Sequence, residues 1–492
     1  MTVKRWKSGF VTAGAVLMGV ALAATSFAQG MFYKEIAKDG RIYVFNDAKK
    51  LEAFEKGGEM GTGLTRPGVG PNGETVVADS EQALDLFFFK HGIAEAVLRP
   101  EPPVQKIEWR DGKTRFTLGK NFYMELSNRV QPRYTLVEPP DSVKLPGTEN
   151  AGDTKGSFRI RRAKTKFEGF IYKPEIEFEV QLNWPDANGS PVARFMEDAN
   201  IDWDISKKKV FRVRFGQFKA PYGRQQLTSS GAQQFVDRAD TDARYNPGRE
   251  TGIALWGTLG GNKLDWRAMV SNGNSRSQDQ NDNNKYLFTS RVMWQAIGKT
   301  RMNQWGSGAL LTEGDLGDSA ANNGPLLAIG GNYLQNDRRF STVLIPPATT
   351  PPVATDDQAW GGDYTFKYKG FASIGEYNYR NTKPYTGALA GTEFKDRAYL
   401  FQASYAWKAP GVVPGAAFWE LAFRYSVIDP TNRPATTAPN NNRKEIGGAF
   451  NYYANKHNLK VQADYRQIKD EAANSGKGAT AKEFRLQTQF IF

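Results

Sequence analysis

The chain has 492 residues, 40% of them hydrophobic, and no cysteine; that length allows two or three ordinary domains, and the missing cysteine excludes a disulfide framework. The formal net charge of +13 favours anionic partners. Forty-nine glycines and 13% aromatics, with no apolar run past the N-terminus long enough for a spanning helix, suit extended sheet better than helical domains.

Residues 1–28 read as a secretory signal peptide. Lys4, Arg5 and Lys7 give the basic start, "VTAGAVLMGVALAA" the short apolar run, and Ser26 and Ala28 the small residues for cleavage after Ala28. Setting those three cations aside lowers the net charge to about +10. An exported basic chain seldom meets nucleic acid, so a small anion or an anionic lipid surface is the expected partner.

Residues 29–110 are expected to form a small α+β unit with a proline-rich linker at its end. "GRIYVFNDAKKLEAFEKGG" gives a short strand, a helix start at Asn46 and Asp47, and a stop at Gly57–Gly58. "ETVVADSEQALDLFFFKHG" repeats the scheme, with a cap at Asp79 or Ser80 and an end at Gly92. "RPEPPVQK" is the linker.

From residue 111 the pattern becomes long strands of period two. "FYMELSNRVQPRYTL" sets Phe122, Met124, Leu126, Val130, Pro132 and Tyr134 against Glu125, Ser127, Arg129, Gln131 and Arg133. "EIEFEVQLNW", "VFRVRFGQF", "FWELAFRYSV" and "LKVQADYRQI" do the same, and about sixteen such segments approach the length of a tilted bilayer-crossing strand. Their connections alternate long and short, "YKP", "SKKK", "GGNK" and "NKHN" being the tight turns. One long segment, "GKTRMNQWGSGALLTEGDLGDSAANNGP", falls on the tight-turn side. The expected fold is therefore all-β, an up-and-down antiparallel barrel of about sixteen strands spanning residues 111–492 in an outer membrane. The chain ends on "KEFRLQTQFIF", an alternating strand whose Phe492 would sit in an aromatic girdle. A soluble sandwich would need one shared core for all the apolar faces, which uniformly wet inner faces do not suit.

A lumen this wide holds water, and its charges set selectivity. In "FRIRRAKTKFEGFI", Arg162, Lys164, Lys166 and Glu168 alternate with Ala163, Thr165, Phe167 and Gly169. Phe158 and Ile160 have the opposite phase, which calls for a bulge near Arg161–Arg162 that also turns Arg159 and Arg161 inward. Arg212, Arg214, Lys367, Lys369, Arg129 and Arg133 extend the basic lining, and Glu177, Glu179, Asp202 and Asp204 are the carboxylates able to pair with it.

"GQFKAPYGRQQLTSS" followed by "FVDRA" is similar to the third-loop region of the phosphate-selective porin O and P family, and "RRAKTKFEG" and "EGDLGDS" resemble it too. The resemblance covers roughly residues 114–492. It implies a homotrimer of sixteen-stranded barrels, each with its third loop, here 219–250, folded inward. It also implies wall and loop cations that bind passing anions, phosphate among them. Carried over, Lys219 and Arg224 are the pore candidates and Arg238 matches the basic residue after "FV", with loop pinning its expected task. The implied function is passive diffusion of small anionic or polar solutes, with no cofactor, metal or catalytic residue.

Other classes compete, among them a passive adhesin or tethered barrel with the N-terminal unit as its working part. A barrel hydrolase needs a histidine beside a serine or aspartate. The chain has two histidines, His91 at a helix end and His457 in a tight turn, and neither is placed for that. A structural barrel sleeving a partner protein is another alternative; it would require a lumen clear of segment 219–250.

Overall fold

The computed structural model describes residues 32–93, 105–184, 195–276, 281, 283–298, 311–341, 353–386, 390–430, 442–471 and 478–492. The expected signal peptide, the first part of the long tight-turn-side segment and parts of several long loops lie outside the described residues. The chain divides into two units, Met1–Pro102 and Pro103–Phe492.

The first unit contains β1 (Lys34–Lys38), β2 (Arg41–Phe45), α1 (Ala48–Gly57), β3 (Leu64–Arg66), β4 (Thr75–Ala78) and α2 (Glu81–His91). Its sheet order is β1-β2-β4-β3, with β2 and β4 parallel. The strand–cap–helix echo of the sequence thus lies side by side. Asp47 and Ser80 are the N-caps, and Gly58 and Gly92 close the helices in the left-handed conformation. Asp79 is not the cap; its carboxylate accepts from the Asn46 and Asp47 amides and so ties the two repeats together. In "FFFK", Phe87 and Phe88 join Val44, Val76 and Leu84 in the core, while Phe89 points to solvent.

Glu35 accepts from the Tyr33 hydroxyl and lies 3.0 Å from both Lys90 Nζ and His91 Nε2. Partial burial alone would raise its carboxyl, but the bonds from Tyr33, Lys90 and His91 outweigh it and hold it below the usual range. The folded carboxyl ionises at lower pH than the unfolded one. Its contribution is therefore complete above about pH 4.3 and is lost as the pH falls through the folded value. Amide exchange across residues 32–93 should accelerate on acidification below that point. Glu35→Gln should remove the pH dependence at a cost of about 1 kcal/mol.

The second unit begins with a hairpin, β5 (Gln105–Arg110) and β6 (Lys113–Leu118), whose first strand lies in the range expected for the linker unit. β6 pairs with the start of β7 (Phe122–Glu138), so the barrel sheet already extends to Gln105. Among the described residues, sixteen antiparallel strands run from β7 to β22 (Ala479–Ile491), and β22 pairs back onto β7 from Lys482↔Glu138 to Ile491↔Arg129. This is the closed barrel expected, in which every strand finds two neighbours and no edge is left for lipid to solvate.

The faces are inverted relative to a soluble core. In β10 (Met196–Asp204), Ile201 and Trp203 are outward and half exposed, whereas Asp202 and Asp204 are buried inward. In β22, Phe484, Leu486 and Phe490 point out and Arg485, Gln487 and Gln489 point in. Phe492 continues the pairing through backbone bonds in both directions with Asn128. In β8 (Lys155–Ile171) the register against β7 passes from Arg162↔Gln131 to Ile160↔Pro132, leaving Arg161 as the extra residue. That bulge reconciles outward Phe158 and Ile160 with inward Arg159, Arg161 and Arg162.

A candidate solute path inside the barrel

Residues 220–248, between β11 (Arg212–Lys219) and β12 (Arg249–Leu259), enter the lumen and carry two short helices, α3 (Arg224–Leu227) and α4 (Asp240–Tyr245). The apolar side chains sparsely placed in this loop are its anchors. Tyr222 and Tyr245 pack with Leu287, Leu334 and Ile428, and Phe235 lies under the Arg424 guanidinium, 4.0 Å from its ring centre. Polar wall residues take the backbone: Lys460 and Gln462 donate to Gln233 O, Asn451 to Gln234 O, and Arg291 to Tyr222 O.

A second inward segment comes from the opposite edge. The described part of the long tight-turn-side connection, residues 311–325, turns into the lumen and carries α5 (Asp318–Ala321). Fully buried Glu313 accepts from Gln225 Nε2 at 2.7 Å, the Gln234 amide at 2.9 Å and Gln402 Nε2 at 2.9 Å. Asp315 and Asp318 bind the wall through Gly370 N and Lys367 Nζ. "EGDLGDS" is thus the piece that latches the third loop, a role its position on the tight-turn side did not disclose. With both segments in place the lumen is not clear, as a protein sleeve would require.

The space left is a cavity of about 960 Å³ between the third loop and the wall from β7 to β12. Arg129, Arg162, Lys164, Lys166, Lys219 and Arg238 line it, together with Arg161, Arg214, Arg249 and Arg276. Glu168, Glu179, Glu197, Asp198 and Asp202 share the lining, and twelve basic against eight acidic side chains give a net cationic surface.

Not all of the cations suggested by the sequence reach the cavity. On the cavity wall, Lys164 pairs with Glu197, Lys166 lies 2.7 Å from Glu168, and Arg214 lies 2.7 Å from Asp202. Arg212 lies outside the cavity, fully buried between Asp202 and Glu177 with its guanidinium 4.7 Å from the Trp256 ring centre. At the third loop, Lys219 Nζ donates to Leu227 O and Thr228 O, and Arg238 to Gln225 O and Thr228 O, so both fasten the loop while lining the cavity. Arg224 sits on the far side of the loop, buried, donating to Thr365 Oγ1 at 2.6 Å and 3.9 Å from Glu313. It does not reach the cavity, because α3 turns it towards the opposite wall. Lys367 is likewise buried against Asp318, and Lys369 lies exposed in a tight turn.

The sequence placed Arg129 on the wall but did not reveal what faces it. Its Nη1 and Nη2 donate to the hydroxyls of Ser229 and Ser230 at 3.2 and 3.1 Å, and among the described residues no carboxylate lies in ion-pair range of it. The "SS" of "QQLTSS" was the available signal. Asp237, at the far end of the loop, meets Arg133, Arg161, Arg162 and Arg485. Burial alone would raise its carboxyl, but these guanidiniums, Arg133 and Arg162 foremost, hold it well below the usual range.

Residues 141–301 match the family described as phosphate-selective porin O and P. That stretch is about a third of the chain. The match spans the bulged strand and the third loop. No curated protein matches the chain. Among solved structures it is similar to the anion-selective porin of Comamonas acidovorans (12% identity, TM-score 0.46), covering 75% of this chain and 99% of that one. It is also similar to the outer membrane channel DcaP of Acinetobacter baumannii (12%, 0.48, covering 75% and 97%) and to OmpT of Vibrio cholerae (9%, 0.45, covering 79% and 100%). Family match and closed barrel together indicate a protein of a Gram-negative outer membrane.

Proposed function

We propose that this porin passes small anionic and polar solutes by diffusion, phosphate among them, and that it works as a homotrimer with the N-terminal unit, the tight turns and the C-terminus on the periplasmic side. Arg129 carries the reading. A guanidinium held by two neutral hydroxyls keeps its charge available to a solute, whereas one neutralised by a carboxylate does not. Ser229 and Ser230 can donate to the same oxyanion. Lys219 and Arg238, bonded to carbonyls beside them, add positive potential where a water-poor constriction strengthens it. The many carboxylate-paired cations elsewhere on the wall temper selectivity. The family resemblance supports both trimer and orientation.

The reading is tested by single-channel recording of the purified protein across a potassium chloride gradient. A reversal potential favouring chloride, with current reduced by added phosphate, is expected. A cation-preferring current would remove the anion reading, and absence of any current would remove the channel. Unheated gel mobility with cross-linking should give three copies.

A further inference from the structure

Asp237 is surrounded by more positive charge than one carboxylate needs. Arg133 Nη1 lies at 2.7 Å and Arg162 Nη2 at 3.1 Å, while Arg161 and Arg485 each approach to 3.5 Å. Arg485 also binds Asp464 and Glu483, and Arg133 binds Gln487, but no other carboxylate is in ion-pair range of Arg161 or Arg162 among the described residues. The Arg161 Nε is buried with no hydrogen-bond partner. The cluster also stands between two spaces. Arg161 and Arg162 line the larger cavity, and Asp237, Arg133, Arg159 and Arg485 line a smaller one of about 230 Å³.

The loop is also held here by bonds that do not use the Asp237 side chain. The Val236 amide donates to Asp464 at 2.9 Å, Arg133 Nη2 to Val236 O at 3.2 Å, and Arg424 Nη1 to Asp237 O at 3.0 Å. These bonds involve backbone atoms of the loop, which replacement of the Asp237 side chain does not remove.

We propose that Arg133, Arg161, Arg162 and Arg485 form an oxyanion site whose resident occupant is the chain's own Asp237, a tethered carboxylate that soluble divalent oxyanions must displace. Guanidiniums match phosphate and carboxylate oxygens alike through paired hydrogen bonds. A tethered competitor acts at high effective concentration, so the site in the wild-type chain is weak and releases anions readily. A pore needs that property, because a solute held tightly does not leave. The site extends the channel reading only in supposing that solute reaches it from either cavity.

The test is equilibrium binding of inorganic phosphate to the detergent-solubilised full chain, which reads the site whether or not the protein conducts. Asp237→Asn should bind phosphate about tenfold or more tightly than wild type, and adding Arg161→Gln to that variant should abolish the gain. Heat-modifiable gel mobility verifies that the barrels are folded. Folded Asp237→Asn with unchanged affinity overturns the proposal, as does a gain that persists without Arg161. Failure of Asp237→Asn to fold would also overturn it, since Asp237 would then be a structural anchor. If the binding gain appears while wild type passes no current, the site stands and the channel reading falls.

Discussion

Glu313→Ala is expected to raise the single-channel conductance and to lower the stability of the barrel's interior. Glu313 is the one carboxylate that collects Gln225 Nε2, the Gln234 amide and Gln402 Nε2 at a single buried point. Truncation leaves the Gln225 side-chain and Gln234 backbone donors buried without this acceptor, while Gln402 keeps its bond to Gln234 Oε1, at a cost of about 3 kcal/mol in all. The barrel wall does not depend on them, because strand pairing closes it from β22 to β7. The loss therefore falls on the third loop, whose departure from the lumen widens the path. Bilayer recording should show larger and noisier steps than wild type, and limited proteolysis should cut within 220–248. Glu313→Gln, which keeps the shape and part of the bonding, should lie between. An unchanged conductance for a folded Glu313→Ala barrel would mean that the remaining bonds, Lys460 and Asn451 to the loop carbonyls, suffice alone.

Arg129→Glu should have the opposite character, leaving the architecture intact and altering what passes. The substitution places a carboxylate opposite Ser229 and Ser230 in the cavity that the third loop bounds. Phosphate block should weaken by about tenfold or more, equivalent to ~1.4 kcal/mol. The reversal potential in a chloride gradient should also move towards cations. Arg129→Ala should produce part of the shift. Lys369→Ala, in an exposed tight turn, is the neutral comparison. A charge reversal at Arg129 that left both readouts unmoved would show that the solute does not pass the two serines.

The barrel was legible because its signal is repeated along the chain. Each strand restates the same alternation, and turn lengths add an independent count, so local misreadings average out. The bulge at Arg161 could be inferred for the same reason, since Phe158 and Ile160 contradict the phase of Ala163 and Thr165 and only an inserted residue reconciles them. The caps at Asp47 and Ser80 were local and readable. The lumen was not, because it is assembled by contacts between residues hundreds of positions apart. Arg224 belongs to the same motif as Lys219, yet a single turn of helix sends it to the opposite wall, where Thr365 receives it. The hairpin at Gln105 was hidden because proline-rich sequence precedes it and its strands are short. Nothing in "EGDLGDS" indicated that it would meet a loop entering from the other end.

That meeting carries a consequence for the order of assembly. The third loop is fastened by Asp464 on the strand before last and by Gln489 on the last, the latter donating to Gly231 O. Chain that is made in the first half is thus completed only by chain made at the very end. Until the last two strands have joined the wall, the loop lacks those bonds. Completion of the wall thus also supplies the last of the bonds that hold the third loop in the lumen.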